Sequence, residues 1–484
     1  MLYKIRKDTY IRVYKNIGYI TSVGLFNDIA VDSNGAVFLS VLSDVPQSID
    51  ELTDKIMKSY VNPDRKRIIN DATEFYNMLV EDEYLVAGET IDEINNNDTG
   101  FSYKNIKPNT LKKEDYTPHI IRSSNDTQTA LESYFLERPQ LVSFQMELTN
   151  RCNERCIHCY IPHRYKVSTM EPELFYDVIN QLSELGVYHL TLSGGEPMLH
   201  PNFVSFVRAA KEKNLYVTVL SNLTMLTDDM LEVFKWKAVT SVQVSLYSMI
   251  SEKHDAITKL PGSFDKTVAN ILKLVDNDIP VQISCPTMKE NKEDFRDVLK
   301  WANEHKIRAY TDYTIMAEYD HNTDNLCHRL SPAECSDVIK DIVNCDSEYQ
   351  RDILQEDFIK HISSYRIDPE DRFCGVGIST CCMVSNGDVF PCPGWQSYTC
   401  GNIRKQTLSD IWSSSPQLIK LRNLKRKDIS KCIECENAAF CSPCLVRNAN
   451  ESLEGNMLEV NDYFCDVAAV NKKVVFDFIN NHKY

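Results

Sequence analysis

Between residues 141 and 316, short apolar runs alternate regularly with helical stretches, and this alternation constrains the fold most strongly. Strands are predicted at 141–149, 188–194, 216–222, 241–247, 281–288 and 308–316. Helical stretches such as 171–186 and 291–306 lie between them. Because strands that alternate with helices form parallel sheets, we expect an α/β domain built as a partial (β/α)6 TIM-like barrel. In such barrels the chemistry gathers at the C-terminal ends of the strands.

Three cysteines follow the first predicted strand directly. Cys152, Cys156 and Cys159 have C-x3-C-x2-C spacing. A tetrahedral structural zinc site needs four ligands. Three cysteines on one loop suit instead a 4Fe–4S cluster with one iron open to a substrate or cofactor. The alternative is a zinc ion completed by His158 or by a remote residue.

The ends of the next three predicted strands carry further candidate binding residues. The second strand ends in "LSGGEP", where Gly194 and Gly195 allow close approach of the backbone to a ligand. Glu196 adds a carboxylate that can accept hydrogen bonds from an ammonium group. Asn222 and Ser245 close the third and fourth strands.

The C-x3-C-x2-C loop, followed one β-α unit later by GGEP, resembles the radical SAM superfamily. The resemblance implies that the three cysteines hold a 4Fe–4S cluster whose open iron is chelated by the amino and carboxylate groups of S-adenosylmethionine. One electron, from a donor such as flavodoxin or ferredoxin, would then cleave this cofactor to a 5′-deoxyadenosyl radical that abstracts a substrate hydrogen. It further implies that the GGEP segment holds the methionine amino group, that His158 lies near the adenine, and that Asn222 and Ser245 contact the cofactor. Near Lys259, where the family often has an arginine for the cofactor carboxylate, this sequence has none.

A second group of cysteines begins at Cys374. The series continues with Gly387-x4-Cys392, Cys432-x2-Cys435-x5-Cys441-x2-Cys444 and Cys465. It resembles the SPASM extension of radical SAM peptide-modifying enzymes, which binds two auxiliary 4Fe–4S clusters and would bring the total to three. The family usually has three residues where this chain has two, between Cys441 and Cys444. A zinc site for the segment from Cys432 to Cys444 is the alternative.

The SPASM resemblance also implies a division of these cysteines between the two auxiliary clusters. The distal cluster would be held by Cys432, Cys435, Cys441 and Cys465. The proximal cluster would be held by Cys374, Cys392 and Cys444. Its fourth ligand is expected to be Cys381 rather than Cys382. Only one of the two is expected to bind, because successive strand residues face opposite ways. Alternatively neither binds, and one iron is left for a substrate thiolate.

The remaining cysteines are predicted to be mostly small buried hydrophobes. They are Cys285, Cys327, Cys335, Cys345, Cys382 and Cys400. Cys285 lies inside the fifth predicted strand and could face the barrel cavity, so it is the one that merits attention.

Residues 1–90 form a separate, cysteine-free region. Two short strands are predicted within 9–23 and three helices after them, with Ser48 and Glu51 at capping-box spacing. The region has more acidic than basic residues, which argues against a DNA reader. It resembles a PqqD-like winged-helix element, in which the leader of a precursor peptide adds as an extra strand. The alternative is a domain that only packs on the barrel.

The rest of the chain is divided by composition. We expect a linker at 91–140, the barrel at 141–330, connecting helices at 331–370, the SPASM domain at 371–470 and a tail at 471–484. The sequence shows neither a signal peptide nor a membrane-spanning run, and its seventeen cysteines are typical of a reducing, cytoplasmic setting. The formal net charge of −16 argues against nucleic acid as a partner.

Together these features predict a radical SAM maturase of a ribosomally synthesised peptide. The expected reaction is hydrogen abstraction from the peptide followed by cross-linking, with a thioether as the favoured product. Carbon–carbon cross-linking, epimerisation and sulfatase-type oxidation by the same radical step are the alternatives. A zinc-stabilised, non-catalytic regulator is a more distant one. No residue is assigned a catalytic role from the sequence.

Overall fold

The computed structural model describes residues 1–23, 28–104, 134–135, 137–345 and 347–482. The N-terminal region contains two small antiparallel sheets, with strand orders β5-β1-β6 and β2-β3-β4. Its strands are β1 Leu2–Ile5, β2 Thr9–Tyr14, β3 Ile17–Ser22, β4 Asp28–Val31, β5 Gln47–Ser48 and β6 Leu85–Gly88. Its helices are Ser33–Ser40, Ile49–Met57, Arg65–Glu81 and Ile91–Asn97.

Local sequence signals explain where these N-terminal helices begin. Ser48 and Glu51 form the predicted capping box, in which the Ser48 hydroxyl accepts from the Glu51 N–H at 3.2 Å and Glu51 accepts from the Ser48 N–H at 2.8 Å. The two predicted strands are confirmed as β2 and β3, and all three predicted helices are confirmed. The strands β1, β4, β5 and β6 and the helix Ile91–Asn97 were not predicted. The assignment of the region to the PqqD-like class stays a prediction.

The six predicted barrel strands are all present. They are β7 Ser143–Thr149, β8 His189–Gly194, β9 Tyr216–Ser221, β10 Ser241–Ser245, β11 Val281–Pro286 and β12 Arg308–Asp312, and neighbouring strands pair in parallel. The main helices between them are Pro172–Glu184, Phe203–Glu212, Asp228–Val233, Ser251–Thr258, Ser263–Asp276 and Phe295–Glu304. The partial (β/α)6 architecture is therefore confirmed.

The alternation of side chains along β7 shows how this sheet is built. Phe144, Met146 and Leu148 are fully buried in the main core cluster. The intervening residues face the other side, where Gln145 donates to Ser193 of β8 at 2.7 Å. Because side chains alternate along a strand, one face of the sheet packs against the helices and the other is left for polar contacts.

The sheet does not close on itself, because the free edge of β7 is taken by a strand from the cysteine-rich region. This region contains β13 Thr380–Met383, β14 Asp388–Phe390 and β15 Gly401–Asn402, and β13 pairs with β7 in parallel. The result is one nine-stranded sheet in the order β12-β11-β10-β9-β8-β7-β13-β14-β15. The region also contains the helices Leu408–Ser414, Pro416–Asn423, Ser430–Ile433, Leu445–Glu451 and Asp462–His482.

Three helices connect the barrel to the cysteine-rich region, namely Pro332–Cys345, Ser347–Ile353 and Glu356–Ser364. The first of them packs against the C-terminal helix Asp462–His482. The predicted separate tail at 471–484 is wrong, because this helix continues through it and buries Val474, Val475 and Ile479. None of the helices that the structure describes is both long and apolar enough to cross a bilayer.

The N-terminal region packs against the end of the barrel where the strands begin. Tyr14 donates to the Gly186 carbonyl at 3.1 Å, and the Tyr188 hydroxyl donates to Tyr19 at 3.2 Å. Gly186 and Tyr188 lie just before β8. The predicted linker contributes at the same end, since Ser102 donates to Asp278, which precedes β11, at 2.9 Å. Most of that linker, residues 105–133, lies outside the described residues.

Candidate active site

The cysteine loop and the GGEP segment are joined through their backbones. The Gly195 N–H donates to the Thr149 carbonyl at 2.8 Å, and the Glu196 N–H donates to the Arg151 carbonyl at 2.9 Å. A Cβ atom on Gly194, whose φ is +135°, would lie 2.0 Å from the Thr149 oxygen, and one on Gly195 would lie 2.4 Å from the Arg151 oxygen. The glycines are therefore required because the GGEP segment lies close to the backbone of residues 149–151. From the sequence, they were predicted to allow close approach to a ligand.

Glu196 is fully buried and ties β8 to β9. One carboxylate oxygen accepts from the Met198 N–H at 2.9 Å and the other from the Asn222 N–H at 2.8 Å, while the Ser221 hydroxyl lies 2.9 and 3.0 Å from the two. Burial raises the pKa of Glu196 to about 7. With both oxygens engaged inside the protein, this side chain orients the strand ends around the cysteine loop.

Asn222, whose backbone N–H is bound by Glu196, lies beside the cysteine loop. Its side-chain amide donates to the Asn153 side-chain oxygen at 3.0 Å and lies 4.0 Å from the Cys152 sulfur. Ser245 ends β10, two residues before Tyr247. The structure thus brings Asn222 to the cysteines directly and places Ser245 at the neighbouring strand end.

Each of the three cysteine sulfurs has a polar neighbour. The Glu154 N–H lies 3.4 Å from the Cys152 sulfur, and Cys156 donates to the Glu154 carboxylate at 3.2 Å. The Lys166 ammonium lies 3.5 Å from the Cys159 sulfur. Burial raises the pKa of Cys152 to about 11, although the charge of Lys166 opposes this rise, and burial raises the pKa of Cys156 still further above its usual value.

His158 lies against the aromatic ring of Tyr247. The ring centroids are 5.1 Å apart, and the Tyr247 hydroxyl lies 3.5 Å from His158 Nε2 and 4.0 Å from the Cys156 sulfur. Burial lowers the pKa of His158 to about 4, so the imidazole is neutral. Tyr247, Glu154 and Lys166 were not singled out from the sequence. Of the three, Glu154 could have been noticed there, because it lies between two of the cysteines.

The residues of the loop fit a cofactor of mixed polarity. Glu154 is almost completely buried, yet one of its carboxylate oxygens has no hydrogen-bond partner among the described residues, and the same is true of His158 Nδ1. Three thiols stand together on a loop with hydrogen-bond donors around them. In the described ranges no group of three His, Cys, Asp or Glu side chains is close enough to hold a single metal ion. The donor set therefore suits a larger sulfur-ligated cluster with an adjoining polar ligand.

The four cysteines predicted for the distal auxiliary cluster come together in the C-terminal region. They line one cavity of about 140 Å³, with Cys444 at the same cavity. Burial, followed by the neighbouring thiols of Cys432, Cys465 and Cys435, raises the pKa of Cys441 to about 11. Tertiary structure thus brings together the four cysteines that the SPASM resemblance assigns to the distal cluster, and it places Cys444, which the resemblance assigns to the proximal cluster, beside them.

The cysteines predicted for the proximal cluster also lie near one another. Burial raises the pKa of Cys392 to about 12, and the thiols of Cys444 and Cys374 contribute to the rise. Cys382, rather than Cys381, is turned toward this group. After burial, the neighbouring thiol that most raises the pKa of Cys382 is Cys392, whereas for Cys381 it is Cys400.

The opposite orientations of Cys381 and Cys382 follow from strand alternation. Cys382 pairs with Phe390 across β13 and β14, and Cys392 lies two residues beyond Phe390. Alternation was used to argue that one cysteine binds, but it cannot say which one, and the preference for Cys381 is not supported by this geometry.

Cys285 does not face the barrel cavity. It is fully buried in the main core cluster with Val281 and Ile283, which share its face of β11, and its thiol lies 3.8 Å from the Tyr247 carbonyl. The expectation that it could reach the cavity is wrong, because the odd-numbered residues of β11 pack against the helices.

A cavity of about 390 Å³ lies between the barrel and the cysteine-rich region, next to the cysteine loop. Its walls include Glu147, Tyr165, Tyr319, Phe390 and Gln396. Gln396 donates to the two Glu147 carboxylate oxygens at 3.2 and 3.1 Å, and burial raises the pKa of Glu147 to about 7.

This cavity is connected to the cysteine loop through Tyr160, the residue after Cys159. Its side chain hydrogen-bonds to Glu147, and its carbonyl accepts from the Tyr319 N–H at 3.0 Å. The Glu147–Gln396 contact spans the barrel and the cysteine-rich region, and no local sequence signal could have indicated it.

Comparison with known families agrees with this geometry. Residues 146–302 match the radical SAM superfamily, and residues 374–436 match the SPASM iron-sulfur cluster-binding domain. The chain therefore contains a radical SAM domain and a SPASM domain, which together span less than half of its length. Both families imply 4Fe–4S clusters, and the first implies binding of S-adenosylmethionine.

Several known proteins resemble the chain. The AdoMet-dependent heme synthase of Methanosarcina barkeri is 28% identical over 347 residues, covering 67% of this chain and 96% of that protein. The subtilosin biosynthesis protein AlbA of Bacillus subtilis is 27% identical over 339 residues, covering 68% of this chain and 72% of that protein. The crystal structure of Streptococcus suis SuiB bound to its precursor peptide SuiA superimposes with a TM-score of 0.59 at 16% identity, covering 96% of this chain and all of SuiB.

Proposed function

We propose that this protein is a maturase that modifies a ribosomally synthesised peptide by radical hydrogen abstraction. The observation that carries the proposal is the N-terminal region, which is joined to the barrel and shares its fold with a peptide-binding enzyme. The likeness to SuiB covers 96% of this chain and so includes most of that region. AlbA, whose name assigns it to the biosynthesis of the bacteriocin subtilosin, is a relative in sequence.

The N-terminal region offers a sheet edge on which a leader peptide can bind. Among the described strands, β4 pairs only with β3, and its four residues are half-buried. Extended peptides bind at sheet edges by adding a strand, so we propose that the leader pairs with β4. We therefore assign residues 1–90 to leader recognition.

Leader binding and chemistry would take place at opposite ends of the barrel. The N-terminal region contacts the end where the strands begin, and the three cysteines follow the end of β7. Strands of this length span roughly 20 Å. A peptide bound at β4 would therefore need at least about six extended residues between its leader and the modified residue.

The cavity beside the cysteine loop would receive the residue to be modified. When bound, the cluster and S-adenosylmethionine would supply one-electron chemistry for hydrogen abstraction, with the electron coming from a flavodoxin or ferredoxin. Cys152, Cys156 and Cys159 would hold this cluster, and His158, Asn222 and Ser245 would lie along the cofactor. Glu147 would bind polar groups of the incoming peptide, because its carboxylate lines the cavity.

The SPASM domain would hold two further clusters. We assign Cys432, Cys435, Cys441 and Cys465 to the distal one and Cys374, Cys392, Cys444 and Cys382 to the proximal one. They would accept the electron left after the bond forms, and the favoured product is a thioether between a cysteine sulfur and a carbon. We expect the reaction in the cytoplasm, where the thiols of the seventeen cysteines of this chain stay reduced.

The test uses anaerobically reconstituted enzyme and the short peptides encoded beside its gene. A cross-link lowers the intact mass by two hydrogens, and a thioether also removes one alkylatable thiol. Carbon–carbon cross-linking loses the same mass but leaves the thiols reactive, and epimerisation in D₂O would be seen as deuterium incorporation. Unchanged mass, thiol count and deuterium content for every such peptide would contradict the proposal.

A second candidate is AdoMet-dependent modification of a tetrapyrrole. It is favoured by the match to the heme synthase, which covers 96% of that protein. Only 67% of this chain takes part in that match, so about a third of the chain has no counterpart there. Incubation of the reconstituted enzyme with an iron porphyrin, followed by absorption spectroscopy and mass spectrometry, tests this alternative directly.

A further inference from the structure

Lys166 is a buried cation whose hydrogen-bond partner is a cysteine sulfur. It follows the short 3-10 turn His163–Tyr165, and only 7% of its surface is exposed. Its ammonium lies 3.5 Å from the Cys159 sulfur. In the part of the chain that the structure describes, no ion pair joins Lys166 to a carboxylate.

This arrangement is unfavourable for a lysine next to neutral thiols. Removing an ammonium from water is costly unless an opposite charge or good acceptors replace the water. A thiol sulfur is only a weak acceptor. Thiolates bound to iron carry the negative charge that would stabilise this ammonium.

We propose that Lys166 is the counter-charge of the cluster held by Cys152, Cys156 and Cys159, and that it raises the reduction potential of this cluster through its hydrogen bond to Cys159. Reduction adds an electron, and a nearby cation stabilises the more negative state. Net charge and hydrogen bonds to sulfur are established determinants of such potentials. The inference rests on the cluster assignment but is independent of the peptide substrate, and it makes Lys166 a positioning residue rather than a catalytic one.

The experiment compares K166M, which removes the charge at similar length, with K166R, which keeps it. K213M is the matched control, because Lys213 is an exposed lysine at the end of the helix Phe203–Glu212, away from the cysteines. The midpoint potential of the cluster whose EPR signal responds to S-adenosylmethionine is measured in the holoenzyme by redox titration. Iron content and binding of S-adenosylmethionine are measured on the same samples.

We expect a more negative midpoint potential in K166M, with K166R and K213M close to the unchanged enzyme. A K166M protein that loses this cluster while K166R retains it also supports the proposal, because the charge is then needed to hold it. Equal potentials in K166M and the unchanged enzyme overturn the proposal. An equal change of midpoint potential or an equal loss of iron in K166M and K166R also overturns the proposal, because side-chain packing and not charge would then be responsible. An unchanged enzyme without any S-adenosylmethionine-responsive cluster would instead refute the cluster assignment.

Discussion

The three-cysteine loop and the four-cysteine cavity are both built from thiols but differ in their surroundings. Around the loop, hydrogen-bond donors reach each sulfur, from the Glu154 backbone, the Lys166 ammonium and the Tyr247 hydroxyl. Around the cavity, most of the exposed wall is apolar, including Phe464 and Val460. The loop also contains buried polar atoms of Glu154 and His158 that find no hydrogen-bond partner in the described part of the chain.

The polar surroundings of the loop and the apolar surroundings of the cavity suit two different uses of cysteine thiols. Four thiols can occupy all four irons of a cluster and leave no open position, and an apolar wall then keeps water away. Three thiols leave one iron open, and the polar atoms around them can receive the polar groups of a cofactor. We therefore expect cofactor cleavage to depend on the loop and to be insensitive to the distal cavity.

The largest effect is expected from removing the three loop thiols. Replacing Cys152, Cys156 and Cys159 together with alanine should abolish reductive cleavage of S-adenosylmethionine and leave about eight of about twelve irons in place. The measurements are 5′-deoxyadenosine by chromatography and iron by metal analysis. Cys327, an exposed cysteine outside both groups, provides the control variant C327A. Continued formation of 5′-deoxyadenosine in the triple variant would place the active site elsewhere.

Cys381 and Cys382, the two adjacent cysteines of β13, test whether the proximal cluster has four cysteine ligands or leaves one iron open. C382S should perturb one auxiliary cluster, because Cys382 faces Cys392, whereas C381S should keep its full iron content because Cys381 faces Cys400. Iron analysis and the EPR signals of the auxiliary clusters distinguish the two. Loss of a cluster in C381S alone would restore the assignment made from the sequence. Intact clusters in both would leave an iron for a substrate thiolate.

A smaller effect, on stability, is expected from substitution of Glu196. This side chain orients the strand ends around the cysteine loop and hydrogen-bonds to no sulfur. E196A removes the acceptor for two backbone N–H groups and the Ser221 hydroxyl, so we expect the free energy of unfolding to fall by about 3 kcal/mol. Chemical denaturation of the apoprotein measures this. E171A is the control, because Glu171 is exposed and its ion pair with Arg404 should contribute only about 0–1 kcal/mol. Similar losses in both variants would contradict the positioning role of Glu196.

The last expected effect is a pH dependence of stability, which develops gradually because it comes from the titration of two buried carboxyls near the cysteine loop. Burial raises the pKa of Glu147 and of Glu196 from 4.5 to about 7, so between these pH values the native state binds more protons than the unfolded chain. The free energy of unfolding should therefore decrease as pH rises through this range, by at most about 1.4 kcal/mol per pH unit for each carboxyl. Denaturation of the apoprotein from pH 5 to pH 8 tests this, and the double variant E147Q/E196Q should have a flatter profile. An unchanged slope in that variant would show that other groups cause it.

Much of this architecture was accessible from the sequence, because its signals are local. Each of the six barrel strands lies within a few residues of its prediction, since β-rich runs between helices report directly on a parallel sheet. The structure brings the three loop thiols together and gathers the thiols predicted for the distal cluster around one cavity, and most members of each group are also close along the chain. Composition and spacing were sufficient for these features.

Other features depend on contacts between distant segments and could not be read locally. The pairing of β13 with β7 decides that the barrel stays open, and the choice of Cys382 over Cys381 depends on which face of β13 meets Cys392. The contact of Gln396 with Glu147 joins residues 249 positions apart. The sequence by itself determined which elements and thiols exist, because those depend on neighbours along the chain. Only the tertiary structure decided which edges pair, which face each cysteine presents and where Lys166 is buried, because these depend on packing between segments that the sequence separates.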